Sequence, residues 1–323
     1  MMLGVAKSTK LDETALGAIL LRQHGVISRS QALACGMTPG ALRCRIETHG
    51  PWQRLLPGTY LAATGTPAAI QQEMAALCYA GTGSVITGPA ALRHHGIRTQ
   101  ETGVITVLIP ARRAVRSTEA VRIWRSARMP RFIVDDAIRV ALPARAVADT
   151  ARALSSLRDV RAVVADAVQS GHCPVRLLAY ELDEGPRRHS ALLRRAVVEV
   201  RDGIRSVTEA EFRDLLRRAR LPAPMFNARI FSGGTFLAVA DAWWADAGVA
   251  AEVDSREWHL RPADWERTMR RHAAMTAHGI LVLHFAPRMI RNEPARVAAE
   301  VRNAIMAGRA RPALHLRALP AAA

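Results

Sequence analysis

The stretch 26–62, VISRSQALACGMTPGALRCRIETHGPWQRLLPGTYLA, admits few folds because helix starts, helix stops and a turn follow one another within a few residues. Ser28 or Ser30 can accept hydrogen bonds from the unpaired N–H groups that open a helix through Gln31, Ala32, Leu33 and Ala34. Gly36 suits the left-handed turn that ends it. Thr38, followed by Pro39, starts a second helix over 40–47. Arg43 and Arg45 fall near its exposed side, while Leu42 and Ile46 lie one turn apart for burial. Pro57-Gly58 then joins two strand-like pieces, 52–56 and 59–61. Upstream, Leu11, Leu16, Ile19 and Leu20 recur at helical spacing and Gly25 closes that helix. A helix, a glycine turn, a second helix with cationic side chains and a hairpin make a winged helix-turn-helix layout, whose second helix enters the major groove of double-stranded DNA. Arg29, Thr38, Arg43, Arg45 and Arg54 are the candidate DNA-binding residues.

Charge agrees with a polyanionic partner. The 323 residues carry a formal net charge of +17, and all but Lys7 and Lys10 of the 45 cations are arginine. Half the residues are hydrophobic, which supplies a sizeable core and excludes global disorder. The length predicts two or three domains. Cys35, Cys44, Cys78 and Cys173 form no C-x-x-C pair, so they read as buried thiols rather than a zinc site or disulfide framework. The start, MMLGVAKSTK, lacks the apolar run of a signal peptide, and no stretch reaches the roughly 20 apolar residues that span a bilayer. A cytoplasmic protein without a membrane partner is expected.

After the linker Thr64-Gly65-Thr66-Pro67 a mixed α/β region begins. Helical spacing over 68–80 precedes a turn and short helix, GPAALRHHG. His94 and His95 are adjacent there, so their rings point to different faces and cannot chelate one metal. Strands are predicted over 104–109, 121–125 and 137–140, then helices over 144–154, 158–170, 174–183 and 189–201. Arg145 and Asp149, one helical turn apart, are expected to pair structurally.

A third region opens at Ser206, where S-V-T-E reads as a capping box. The predicted order is a helix to 220, strands over 226–231, 236–243 and 249–253, a helix over 262–278, a strand over 280–285 and a helix over 293–307. That αβββαβ order is the core of the PD-(D/E)XK nuclease sandwich. Asp241 lies on the second strand, and Glu252 and Asp254 alternate about Val253 on the third, so period-two geometry puts the last two on one face. Such carboxylates suit Mg²⁺ and phosphodiester hydrolysis, with His259 as base or acid. The candidate catalytic set is therefore Asp241, Glu252, Asp254 and His259, with the three carboxylates holding the ion.

Residues 25–45 and 52–60 resemble the N-terminal domain of AbiEi-type antitoxins, the transcription-regulating halves of type IV toxin–antitoxin systems. The segment IRVALPARAVADTAR is similar to a block of the middle domain of that family, retaining Pro143, Arg145 and Asp149 but with alanine at 146. The passage DAWWADAGVAAEVDSREWH resembles the very-short-patch repair endonuclease-like domain, which implies Asp241 and Glu252 as ligands with Asp254 and His259 in support. Asp254 stands where the nuclease motif has its lysine, and Ser255 where the family has glycine. Together these imply an α+β chain: a winged helix-turn-helix over 1–63, a mixed α/β middle domain over 64–205, a nuclease-like domain over 206–310 and a flexible tail over 311–323. The implied function is a DNA-binding transcriptional regulator, with a toxin protein and a second copy of the chain as further partners. The alternative is a Mg²⁺-dependent DNA endonuclease targeted by its winged domain.

Overall fold

A computed structural model of the protein describes residues 10–202, 204, 206–253 and 262–320, the side chains of 262–268 excepted. The fold is mixed α and β, with three sheets. Asp12 caps α1 (Glu13–Arg22), its carboxylate accepting the Ala15 N–H at 2.9 Å. Gly25, at φ 81°, turns the chain into β1 (Val26–Ser28). Ser28 then caps α2 (Arg29–Ala34) in a reciprocal box with Gln31, and Thr38 caps α3 (Pro39–Ile46) by accepting the Ala41 N–H at 3.1 Å. The hairpin β2 (Gln53–Leu56) and β3 (Thr59–Leu61) completes a three-stranded antiparallel sheet in the order β1-β3-β2. Leu16, Ile27, Ala32, Met37, Leu42, Trp52 and Tyr60 form the core between these elements. Every element expected in this stretch forms. The addition is β1, whose three residues are too short for a periodic signal.

Next come α4 (Ala69–Ala80), β4 (Val85–Thr87), α5 (Gly88–His94), β5 (Ile105–Pro110), β6 (Val121–Ser126), β7 (Phe132–Asp135), β8 (Ile138–Ala141) and α6 (Pro143–Ala153). The five strands make one mixed sheet in the order β6-β5-β4-β8-β7. Asp149 of α6 is buried and accepts from Thr87 Oγ1 at 2.8 Å, Arg145 Nε at 2.8 Å and Arg152 at 3.2 Å. The Pro143-Arg145-Asp149 block is thus a polar staple between α6 and β4, as a buried carboxylate requires. His94 and His95 take separate partners, as their adjacency dictates: His94 bridges Glu73 (2.7 Å) and Asp135 (2.6 Å), while His95 Nε2 meets the Ala141 carbonyl at 2.8 Å.

Helices α7 (Leu157–Gln169), α8 (Val175–Asp183) and α9 (Ala191–Arg201) follow. Ser206 caps α10 (Val207–Arg218), accepting the Glu209 N–H at 3.1 Å, and the Glu209 carboxylate accepts from Asn227 at 2.7 Å. Then come β9 (Met225–Ser232), β10 (Thr235–Trp244), β11 (Val249–Val253), α11 (Pro262–Ala277), β12 (Leu281–Phe285), α12 (Pro287–Asn292), α13 (Pro294–Arg309) and β13 (Leu316–Pro320). Their sheet runs β12-β11-β10-β9-β13, with β11 and β12 parallel and the other pairs antiparallel. One face packs Ala242, Trp244, Val249 and Ala251 against Phe212 of α10 and Val297 and Val301 of α13. The other packs Trp243, Ala250, Ile230 and Ala238 against Met275 of α11. The expected αβββαβ order is present. Residues 316–320, expected within a flexible tail, instead add the edge strand β13 beside β9.

The contacts divide the chain into two compact units. One comprises the described residues up to Ala153 with Ser170–Gly185, and the other Leu154–Gln169 with the described residues from Pro186 onward. The region 64–205 is therefore shared between them: α7 and α9 belong to the second unit and α8 to the first. An ion network explains the placement of α7. Arg161 donates to both oxygens of Glu199 (2.7 and 2.6 Å) and to Asp214 (2.7 Å), tying α7 to α9 and α10.

Candidate nucleic-acid interface

Three short local features position the cationic side chains of the first unit. The capping of α2 by Ser28 leaves Arg29 exposed at the first helical position, and its backbone N–H donates to the Gly58 carbonyl at 2.7 Å. The first turn of α2 is thereby fastened to the hairpin tip. Gly58 adopts φ 68°, a left-handed conformation that an L side chain resists, and so closes the turn between β2 and β3. Arg54 lies on β2, paired with Tyr60 of β3, and its side chain is exposed.

Helix α3 begins at an exposed Thr38 and buries Leu42. Arg43 is exposed. Arg45 is only partly exposed because its guanidinium lies over the Trp52 ring, 5.7 Å from the centroid. The Trp52 N–H also donates to the Arg45 carbonyl at 2.9 Å. Gly50 makes that return possible, since a Cβ there would come 2.3 Å from the Arg45 oxygen. Arg45, expected on the exposed side beside Arg43, stacks on Trp52 and holds the end of α3 against β2. Arg29, Arg43 and Arg54 are the three predicted cations that stand exposed. Cys44, expected to be buried, is exposed on α3, and Cys78 is half-buried with its thiol pushed up to about 11 by burial.

The second unit holds the predicted carboxylates. Ala242 pairs with Ala251 across β10 and β11, so the register carries Asp241 and Glu252 to neighbouring positions on adjacent strands. Glu252 shares the parity of Ala250 and lies on the α11 face, where its carboxylate accepts from Arg271 at 2.7 Å. His284 of β12 stands beside Glu252 in register, its ring 5.0 Å from that of His272. Asp241 accepts the Val253 backbone N–H at 2.6 Å and so continues the β10–β11 pairing with its side chain. Asp254 and His259 lie outside the described residues. Among the described residues no group of three His, Cys, Asp or Glu side chains could hold a metal ion. Arg271 already supplies the positive charge that Mg²⁺ would bring to Glu252, so the described pair does not fit the ion well, and no catalytic step is assigned to it. Sequence reasoning missed Arg271 and His284, whose relevance follows only from the pairing of α11 and β12 with β11.

No helix among the described residues is long and apolar enough to cross a membrane. No family model matches the chain. It is similar to uncharacterized proteins of Mycobacterium tuberculosis, one from strain CDC 1551 / Oshkosh and one from strain ATCC 25618 / H37Rv. Each is 29% identical over 210 residues, covering 64% of this chain and 76% of the relative.

Proposed function

We propose that the chain is a DNA-binding transcriptional regulator of the kind the AbiEi-type antitoxin resemblance implies, reading duplex DNA through a winged helix-turn-helix. The observation that carries this reading is the set of exposed cations on three linked elements: Arg29 at the start of α2, Arg43 on α3 and Arg54 on β2, with Thr38 exposed at the α3 cap. In this reading α3 enters the major groove, Arg43 addresses a base edge, and Arg29 and Arg54 meet phosphates on either side. The net charge of +17 strengthens the encounter without adding sequence preference. A toxin partner and a cytoplasmic location belong to the same reading.

The test is fluorescence anisotropy on DNA fragments selected by the protein from its own genome. Arg43→Ala should weaken binding by about 1–3 kcal/mol, roughly five- to 150-fold, at the selected site and much less on random duplex. Arg54→Ala should weaken both equally and flatten the salt dependence by about 0.9 in log K against log salt. Equal losses on selected and random DNA for Arg43→Ala would remove the base-reading role.

The element order αβββαβ, with Asp241 and Glu252 on neighbouring strands, favours a second reading, a Mg²⁺-dependent endonuclease. The Arg271–Glu252 pair weighs against it, and we assign the second unit a non-cutting role. Mg²⁺-dependent nicking of supercoiled plasmid that disappears in Asp241→Asn would reverse that assignment.

A further inference from the structure

Strand β7 ends its sheet, paired with β8 on one side only. Its first three residues are apolar and all exposed: Phe132 at 47%, Ile133 at 40% and Val134 at 64%. Three consecutive exposed apolar residues on a sheet edge are what folded proteins avoid unless something covers them. The strand carries a single charged side chain, Asp135 at its end. It contains no lysine or proline, and its register with β8 runs from Phe132 to Asp135 without a bulge. The edge is therefore a straight template with one row of N–H and C=O groups turned away from β8.

The sequence of the edge says what covers it. Arg131 and Asp135 stand symmetrically about Ile133, both exposed and of opposite charge. In an antiparallel pairing of two copies centred on Ile133, each Arg131 meets the Asp135 of the other copy. Ile133 meets Ile133, and each Phe132 meets a Val134. Every cross-strand neighbour is then either an opposite charge or an apolar match. The strand is held ready for this at its C-terminal end, where His94 binds the Asp135 carboxylate at 2.6 Å and His24 binds the Asp136 carbonyl at 2.8 Å. An unrelated strand would need the same charge pattern reversed, whereas a second copy carries it by symmetry.

We propose that β7 is the seam of a homodimer, in which two copies join antiparallel through residues 131–135 into one continuous sheet. The seam is short, so the dimer is weak and concentration-dependent. The inference is independent of the DNA reading, and its test contains no DNA.

Sedimentation velocity of the full chain, from low to high micromolar, should show monomer giving way to dimer. Hydrogen exchange of the peptide covering 131–135 should slow over the same range. Val134→Lys places a charge at the most exposed of the three apolar positions and should leave a monomer at every concentration. Arg131→Asp should do the same, because the new carboxylate would face the Asp135 carboxylate of the other copy. A wild-type chain that stays monomeric with unchanged exchange would overturn the proposal. So would a dimer that both Val134→Lys and Arg131→Asp leave intact, or exchange that slows only when a different protein is added.

Discussion

Replacing Arg161 by alanine removes a cation that three buried bonds hold in place. Its guanidinium donates to Glu199 at 2.7 and 2.6 Å and to Asp214 at 2.7 Å, and all three residues are under a tenth exposed. Breaking a buried ion pair from one side typically costs about 3–5 kcal/mol, because the charge left behind has lost its compensation. Two neighbours soften the loss here: Arg195 still reaches Glu199 (3.1 Å) and Asp214 (2.5 Å), and Arg217 reaches Asp214 at 2.9 Å. The lower end, about 3 kcal/mol, is therefore expected, which lowers the melting temperature of a unit this size by roughly 6–12 °C. The pH dependence gives a second check. Burial pushes the Asp214 carboxylate up, but the bonds and charges of Arg161, Arg195 and Arg217 overcome it and hold it below the ordinary carboxylate range. A depressed carboxylate contributes stability above its unfolded value near pH 3.9, and that contribution is lost as pH falls through the folded value. The gap between wild type and Arg161→Ala should accordingly narrow below about pH 4. Differential scanning calorimetry at neutral and acid pH measures both. A shift under about 2 °C at neutral pH, or a gap that widens on acidification, would refute the reasoning that α7 is fastened to the second unit by charge.

Other expected outcomes rest on separate residues. His94 is held above the ordinary histidine range chiefly by its hydrogen bond to Glu73, with Asp135 adding to it. A raised histidine contributes stability fully below its unfolded value near pH 6.5 and loses it as pH rises through the folded value. His94→Gln should thus differ most from wild type in melting temperature below about pH 6.5, and the difference should shrink towards alkaline pH. Arg271→Ala removes the Arg271 guanidinium from beside Glu252, so Mg²⁺ should raise the melting temperature of that variant while leaving wild type almost unchanged. An equal Mg²⁺ shift in both would point to a divalent site that Arg271 does not replace. Trp52→Leu removes the ring under Arg45 and should weaken DNA binding more than stacking alone explains, because α3 loses its anchor.

Local signals made most of this fold legible. Ser28, Thr38 and Ser206 each accept the N–H three residues on, so the helices they open could be placed from sequence to within a residue or two. The elements that escaped are short or carry no pattern of their own. β1 and β4, the latter expected as a turn, have three residues each, β7 is exposed along its whole length, and α12 and β13 lie where no period is established. The candidate site divides in the same way. Arg43 and Arg54 follow from which face of a helix or hairpin is buried, whereas the stacking of Arg45 on Trp52 depends on a tertiary return through Gly50. Asp241 and Glu252 are legible as strand carboxylates, but their partners, Val253 N–H and Arg271, are set by strand register and by helix α11. Spacing in sequence locates a charge; its compensation comes from elsewhere in the chain.

In the proposed complex α3 lies in the major groove with Arg43 at a base edge. Methylation protection measures this directly, because dimethyl sulfate attacks guanine N7 in the major groove and adenine N3 in the minor groove. On the selected DNA site the wild-type protein should protect guanine N7 where α3 is docked. Arg43→Ala should lose protection at a single guanine while the rest of the footprint persists. Protection confined to adenine N3, or a guanine pattern that Arg43→Ala leaves unchanged, would contradict the placement of α3 and with it the proposed function.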